Sequence, residues 1–256
     1  TPHLGASTAE AQESVGVEIA EAVADVLRGG RIRNAINMPS VDPKDLAALS
    51  PYLNLCQRLG SFAQQAASGE VQGIGITYWG SIVDLDAVPL TRAVQKGWLA
   101  GIVGDEGVND VNAPHKLKAL GIDVAVTKSS SSADYNELIE VRAISADGSE
   151  TSVRGTLLGK ANDPRIVQVD GTAIEVHPTD VLLVVRNLDK PGILGKLGTV
   201  LGEHEVNIAN MSLSRSDGDD LAITICELDH EPPAETLAVL EGDPDIREAR
   251  IARLGG

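Results

Sequence analysis

Asp180-Val181-Leu182-Leu183-Val184-Val185-Arg186-Asn187-Leu188-Asp189-Lys190-Pro191-Gly192-Ile193-Leu194-Gly195-Lys196-Leu197 decides the architecture of this chain. Its first half is an almost unbroken apolar run rich in valine, which suits a strand packed into a core. Asp189-Lys190-Pro191-Gly192 then stops the strand, because proline withholds a donor and glycine admits a left-handed turn. Beyond the turn, Ile193, Leu197, Val200 and Leu201 recur with the period of an amphipathic helix. Further toward the C-terminus, residues 206–214 and 221–228 read as strands joined across Asp217-Gly218, 234–240 as a helix and 246–252 as a last strand. The order βαββαβ over 179–256 predicts a ferredoxin-like sandwich, an antiparallel sheet with both helices on one face.

Upstream of this segment the pattern changes. A helix is expected after Pro51, with Tyr52, Leu55, Cys56, Leu59, Phe62, Ala63 and Ala66 on one face. Residues 71–79 alternate as a strand does, 90–102 and 113–120 return to helical spacing, and 123–128 is again extended. Short strands follow at 138–144, 151–158, 165–169 and 172–176, with turns at Asp147-Gly148 and Asp170-Gly171. Residues 42–178 therefore read as an α/β domain with an antiparallel portion, and the chain as a whole combines α/β and α+β architecture. Residues 1–41 hold one long helix: Ser7 with Glu10 fits a capping box, Val15, Ile19, Val23, Val26 and Leu27 form its stripe, and Gly29-Gly30 ends it. An extended stretch at 32–38 and a linker at 39–43 place a boundary near Val41. The opening residue is Thr1 rather than methionine, with no charged-then-apolar leader, so a piece of a longer chain is expected.

Composition narrows the function. The 21 basic and 37 acidic residues give a net charge of −16, which opposes approach to nucleic acid or anionic lipid. Aromatic residues make up 2% of the 256, too few to stack single-stranded bases. No apolar run approaches the ~20 residues that cross a bilayer. Cys56 and Cys226 lack neighbours at metal-ligand or redox spacing, so they read as packing groups in a reducing cytoplasm. The Asp-rich turn at 217–220 lacks the spacing of a calcium loop, and no metal site is expected. Gly73-Ile74-Gly75-Ile76-Thr77-Tyr78 puts tyrosine where a dinucleotide fingerprint needs its third glycine, and no helix is expected directly after it. It reads as a strand whose glycines allow close packing.

The run from Val185 to Gly195, followed by Val206-Asn207-Ile208, resembles the ligand-binding signature of ACT domains. The opening Thr1-Pro2-His3-Leu4-Gly5-Ala6-Ser7-Thr8 resembles the catalytic-histidine segment of D-3-phosphoglycerate dehydrogenases, and Val111-Asn112-Ala113-Pro114 with Val153-Arg154-Gly155-Thr156-Leu157 is similar to the intervening domain of that family's long form. The resemblance implies a C-terminal portion in three parts: a remnant of the catalytic unit over 1–41, an intervening domain over 42–178 and an ACT domain over 179–256. It implies NAD as cofactor through a Rossmann domain not contained in this sequence, with no cofactor bound by these residues themselves. His3 would be the catalytic acid/base, an imidazole that takes the proton from a substrate hydroxyl, and Gly5 would let the chain pass close to the nicotinamide. For His3 and Gly5 the alternatives are an exposed terminal histidine and a plain turn glycine.

An effector site is implied at Asn187, Asp189, Pro191, Gly192 and Asn207. A loop ending at a helix N-terminus offers free N–H groups to an α-carboxylate, and an aspartate beside it can hold the ammonium. Asn207 would bridge polar groups of the ligand from across a subunit interface. The alternative is structural, with Asp189 capping the helix and Asn207 forming a turn. Arg165 and His177, on neighbouring expected strands, are a candidate anion site or else two solvated cations. The serines at 129–132 read as a loop with Lys128 nearby. The implied function is the regulatory part of a cytoplasmic, homo-oligomeric enzyme that oxidises 3-phosphoglycerate in L-serine biosynthesis and is inhibited by L-serine. A free-standing amino-acid-binding regulatory module is the alternative, and an upstream in-frame Rossmann domain would decide between them.

Overall fold

The computed structural model describes residues 8–28, 43–131, 134–215 and 220–255, with the backbone alone described at 43–48 and 105. By contacts the chain divides into 1–42 and 43–256. The first unit contributes α1 (Ala9–Leu27), none of whose residues is buried. Its N-cap is Thr8 and not Ser7: extended Thr8 accepts the Ala11 N–H at 3.2 Å, which moves Glu10 to the second helical position and out of a capping box. His3, Gly5, Ser7 and the expected extended stretch and linker lie outside the described residues.

The second unit begins with α2 (Pro43–Ala66), which starts ahead of Pro51 and runs through it. The ring forfeits one main-chain bond, yet Leu49 upstream is 1% exposed, so packing overrides the local preference. Leu55, Cys56, Leu59, Phe62 and Ala63 are all buried, as the periodicity predicts. Next come β1 (Val71–Gly80), a 3-10 turn at Ser81–Asp84, α3 (Ala87–Val103), α4 (Ala113–Ala119) and β2 (Asp123–Ser129). A meander follows: β3 (Glu137–Ser145), β4 (Glu150–Leu158), β5 (Asp163–Val169) and β6 (Thr172–Val176). The sheet order is β2-β1-β3-β4-β5-β6, with only the β1–β2 pair parallel because α3 and α4 supply its crossover. At the β5–β6 turn both Asp170 (φ 46°) and Gly171 (φ 80°) are left-handed, the hairpin conformation that Asp-Gly favours.

Helices α2 and α3 cross at backbone contact. A Cβ on Gly97 would stand 1.9 Å from the Gln57 carbonyl oxygen, and one on Gly60 would stand 2.2 Å from that of Val94. Gly73 and Gly75 differ from this, since a Cβ at either would meet its neighbours at an ordinary 3.6 Å. Close packing is therefore not what requires glycine at these two positions of β1.

The remaining elements are β7 (Val181–Leu188), α5 (Ile193–Glu203), β8 (Ile208–Arg215), β9 (Leu221–Leu228), α6 (Ala234–Glu241) and β10 (Ile246–Arg253). The order β10-β7-β9-β8 is antiparallel throughout, the ferredoxin-like arrangement the sequence predicts. Its core joins Leu183 and Val185 to Ile193, Leu197, Leu201 and Leu240.

The two sheets are tied together through α2 and the residues between β6 and β7. The Arg250 guanidinium donates to the carbonyls of Gln65, Ala66 and Ala67 at 3.3, 3.3 and 3.2 Å. It caps a helix that has no basic residue in its own last turn. The Gln65 amide donates to the Arg253 carbonyl and accepts the Arg253 N–H, both at 2.8 Å, and Ser61 adds a 2.9 Å bond to that carbonyl. Ser212 on β8 donates to the Glu175 carbonyl of β6 at 2.6 Å.

Both cysteines are buried and free. Burial pushes the Cys56 thiol up, and pushes Cys226 up to about 12. The reactive thiolate is thus scarce at neutral pH as well as inaccessible. Ellman's reagent is expected to titrate neither thiol in the native chain and both in urea; rapid native reaction would contradict this packing.

Candidate effector loop and neighbouring charge cluster

The loop after β7 is held by main-chain bonds. Leu188 N–H donates to Asp245 O at 2.8 Å and Asp189 N–H to Asp220 O at 2.9 Å. Asn187 lies inward and is fully buried, donating to Leu188 O at 2.8 Å and accepting from Thr224 Oγ1 at 3.0 Å. Its polar atoms are satisfied by the fold. Asp189 faces outward, with Oδ2 2.6 Å from Arg215 Nε at the end of β8. Pro191 is exposed. Gly192 is the N-cap of α5 at φ 99°, in the left-handed region, and no side chain caps the helix.

The first main-chain bond of α5 is Lys196 N–H to Gly192 O at 3.0 Å, which leaves the N–H groups of Ile193, Leu194 and Gly195 without an intrahelical acceptor. Two lysines nearby do not compete for an arriving anion. Lys190 Nζ lies 2.8 Å from Asp245, and Lys196 Nζ bonds Asp243 and Asp245 at 3.0 Å each. Lys196 holds the Asp243 carboxyl below its ordinary range, and Lys190 with Lys196 does the same for Asp245.

Asn207 is elsewhere. Its amide donates to Asp229 Oδ2 at 2.7 Å, and it precedes β8 whereas Arg215 ends it. At ~3.4 Å per residue the two ends of that strand are roughly 24 Å apart. Within one chain Asn207 and Asp189 are not brought together.

Arg165 and His177 do come together, around a carboxylate. Asp163 lies 2.6 Å from Arg165 Nη1 and 3.8 Å from His177 Nε2, and Glu175 stands 3.5 Å from Arg165 Nε. The hydrogen bond between Arg165 and Asp163 lowers the acid's pKa and raises the guanidinium's. Buried Glu227 accepts the His177 N–H at 2.8 Å and stands 3.2 Å from His177 Nδ1. Asn210 donates to the same oxygen at 2.9 Å. Beside this cluster an open groove of about 350 Å³ is lined by Asn54, Arg58, Pro164, His177, Thr179 and Asp180.

Lys128 is committed to two carbonyls, Val83 O at 2.7 Å and Leu85 O at 2.9 Å. Ser129 and Ser131 bond one another at 2.7 Å, and Ser132 lies outside the described residues, as do 216–219 in the Asp-rich turn. Among the described residues no group of three or more His, Cys, Asp or Glu could hold a metal. No helix there is long and apolar enough to cross a membrane.

Residues 48–170 match the D-3-phosphoglycerate dehydrogenase intervening domain, and residues 181–245 match the ACT domain. The chain carries a D-3-phosphoglycerate dehydrogenase intervening domain and an ACT domain. It is 34% identical over 99% of its length to the D-3-phosphoglycerate dehydrogenase of Methanocaldococcus jannaschii, covering 48% of that protein. It is 38% identical over 99% of its length to the Synechocystis enzyme, covering 46%, and 33% identical over 99% to the Bacillus subtilis enzyme, covering 48%. The chain thus spans about half the length of the curated relatives it matches.

Two residues of consequence were not singled out from sequence. Arg215 of the ACT domain meets Asp189 only because β8 and β7 both pair with β9, bringing Arg215 opposite Ala222 and Leu188 opposite Leu221. Glu227 of the ACT domain meets His177, at the end of the intervening domain, across 50 residues of sequence. No spacing rule signals either contact.

The intervening domain's glycine pair does not fit a dinucleotide. Gly73 and Gly75 sit inside β1 between β2 and β3, with no free N–H row to face a pyrophosphate. No helix follows directly: α3 starts only at Ala87, and its N-terminus is occupied by Asp86, which accepts the Val88 N–H at 3.0 Å.

Proposed function

We propose that this chain is the regulatory portion of an NAD-dependent D-3-phosphoglycerate dehydrogenase, which oxidises 3-phospho-D-glycerate to 3-phosphohydroxypyruvate, and that it binds L-serine as feedback effector. The observation that carries the reading is the Asp189–Gly192 loop of the ACT domain, where an outward carboxylate adjoins the uncapped N-terminus of α5. An α-amino acid needs both an anion for its ammonium and N–H donors for its carboxylate. The relatives' name supports the choice of reaction, and through it of serine, the amino acid made downstream.

In this reading residues 1–41 belong to the catalytic unit, 42–178 to the intervening domain and 179–256 to the ACT domain. His3 serves as acid/base and Gly5 lines the nicotinamide side of the cleft. Asn207 is supplied by a second copy, since the opposite ends of β8 meet when two copies pair antiparallel, and the assembly is a cytoplasmic homo-oligomer. Asn187 acts by shaping the loop from within, and Pro191 by fixing its turn. Serine held between two ACT domains favours one of two domain arrangements, and that differential affinity constitutes the inhibition. Arg165 and His177 would accept an anion only as Asp163 moves aside.

Calorimetry with L-serine is the test. The chain is expected to bind, and Asp189→Ala to lose about tenfold or more in affinity; unchanged binding in the variant would sink the assignment. By itself the chain is also expected to reduce no NAD with 3-phosphoglycerate, because the described residues lack a dinucleotide site. Measurable turnover would overturn that expectation.

A further inference from the structure

We infer that Asp189 and Arg215 form a two-point receptor for a zwitterion, the aspartate taking the α-ammonium of the effector and the arginine its carboxylate. The inference rests on the effector reading above and adds a residue to it.

Three observations point the same way. First, the pair is joined through single atoms, Arg215 Nε to Asp189 Oδ2 at 2.6 Å. Among the described residues no other partner reaches the terminal nitrogens of Arg215 or the second oxygen of Asp189. Each group therefore keeps a free face of its own sign. Second, the Arg215 side chain is 78% exposed and that of Asp189 31%, so the contact is screened by water and contributes little to folding. Lys190 and Lys196, the other cations of this loop, are by contrast each held by Asp243 or Asp245.

Third, the planar guanidinium fork suits a carboxylate, which it can grip through two parallel N–H bonds. The free N–H groups at the start of α5 adjoin the same loop and add dipolar attraction for that carboxylate. A ligand missing either charge would leave one member of the pair uncompensated. The site then selects α-amino acids over amines and over hydroxy acids, whatever the side chain.

Calorimetry of the 256-residue chain with L-serine, ethanolamine and 3-hydroxypropionate tests this. The parent should bind L-serine and neither analogue. Arg215→Gln should weaken L-serine about tenfold without moving the melting midpoint, and Arg215→Lys should recover part of the loss. Should Arg215→Gln bind L-serine as tightly as the parent, or more tightly, arginine is a bystander or a competitor and the receptor assignment falls. If the parent binds no L-serine, the effector reading fails and takes this inference with it. Loss in Asp189→Ala together with full binding in Arg215→Gln removes the inference alone.

Discussion

Gly97→Ala is expected to melt roughly 6–12 °C below the parent chain, the shift that follows from a loss of ~3 kcal/mol in a domain of this size. Two effects of opposite sign compete at this position. Alanine is the better helix former by about 1 kcal/mol. Against that, its methyl would stand 1.9 Å from the Gln57 carbonyl oxygen, a main-chain atom that cannot swing aside. Relief requires α2 and α3 to separate, which strips contact from Leu55, Leu59 and Trp98, all at 0–1% exposure. Gly198→Ala in α5 is the matched control, because nothing lies within 4 Å of the added carbon. There the propensity term acts alone and the change should be neutral or stabilising by up to ~1 kcal/mol. Thermal unfolding of both variants checks the pair, and an unchanged midpoint for Gly97→Ala would show that the helices do not cross at backbone contact.

Glu227→Ala is the second large effect, expected to cost about 3 kcal/mol. One buried oxygen receives the His177 N–H at 2.8 Å and the Asn210 amide at 2.9 Å, with His177 Nδ1 at 3.2 Å. Its removal orphans a main-chain donor and a side-chain amide at once and uncovers the residues that join the two sheets. Glu227→Gln retains an acceptor and should lose less than half as much. Urea unfolding gives the magnitude, and amide exchange gives the location: the His177 N–H should exchange faster in Glu227→Ala. Protection there that matches the parent would mean that Glu227 does not hold the linker.

Much of this architecture could be read along the chain because its signals are local. Valine-rich runs, Asp-Gly turns and the Pro191-Gly192 break each specify their own neighbourhood, and the ten strands among the described residues fall where such signals place them. The misplacements are also local competitions. Thr8 caps where Ser7 has the better spacing to a glutamate, and Pro51 is carried inside a helix because Leu49 ahead of it is buried. What could not be read were contacts that depend on how finished elements dock. Arg250 caps α2 from 183 to 185 positions away, and Arg215 reaches Asp189 through a third strand. The candidate site divides the same way: its loop is legible, whereas the burial of Asn187 and the neutralisation of Arg165 by Asp163 are not.

The paired bonds of Gln65 to Arg253 have a further consequence. A side-chain amide that both donates to and accepts from one residue of a margin strand imitates a single rung of a β-ladder, and with Ser61 beside it the outer side of β10 is occupied at its C-terminal end. At that end β10 offers no free rung to a further strand. A helix glutamine thus closes one end of that margin to a further strand.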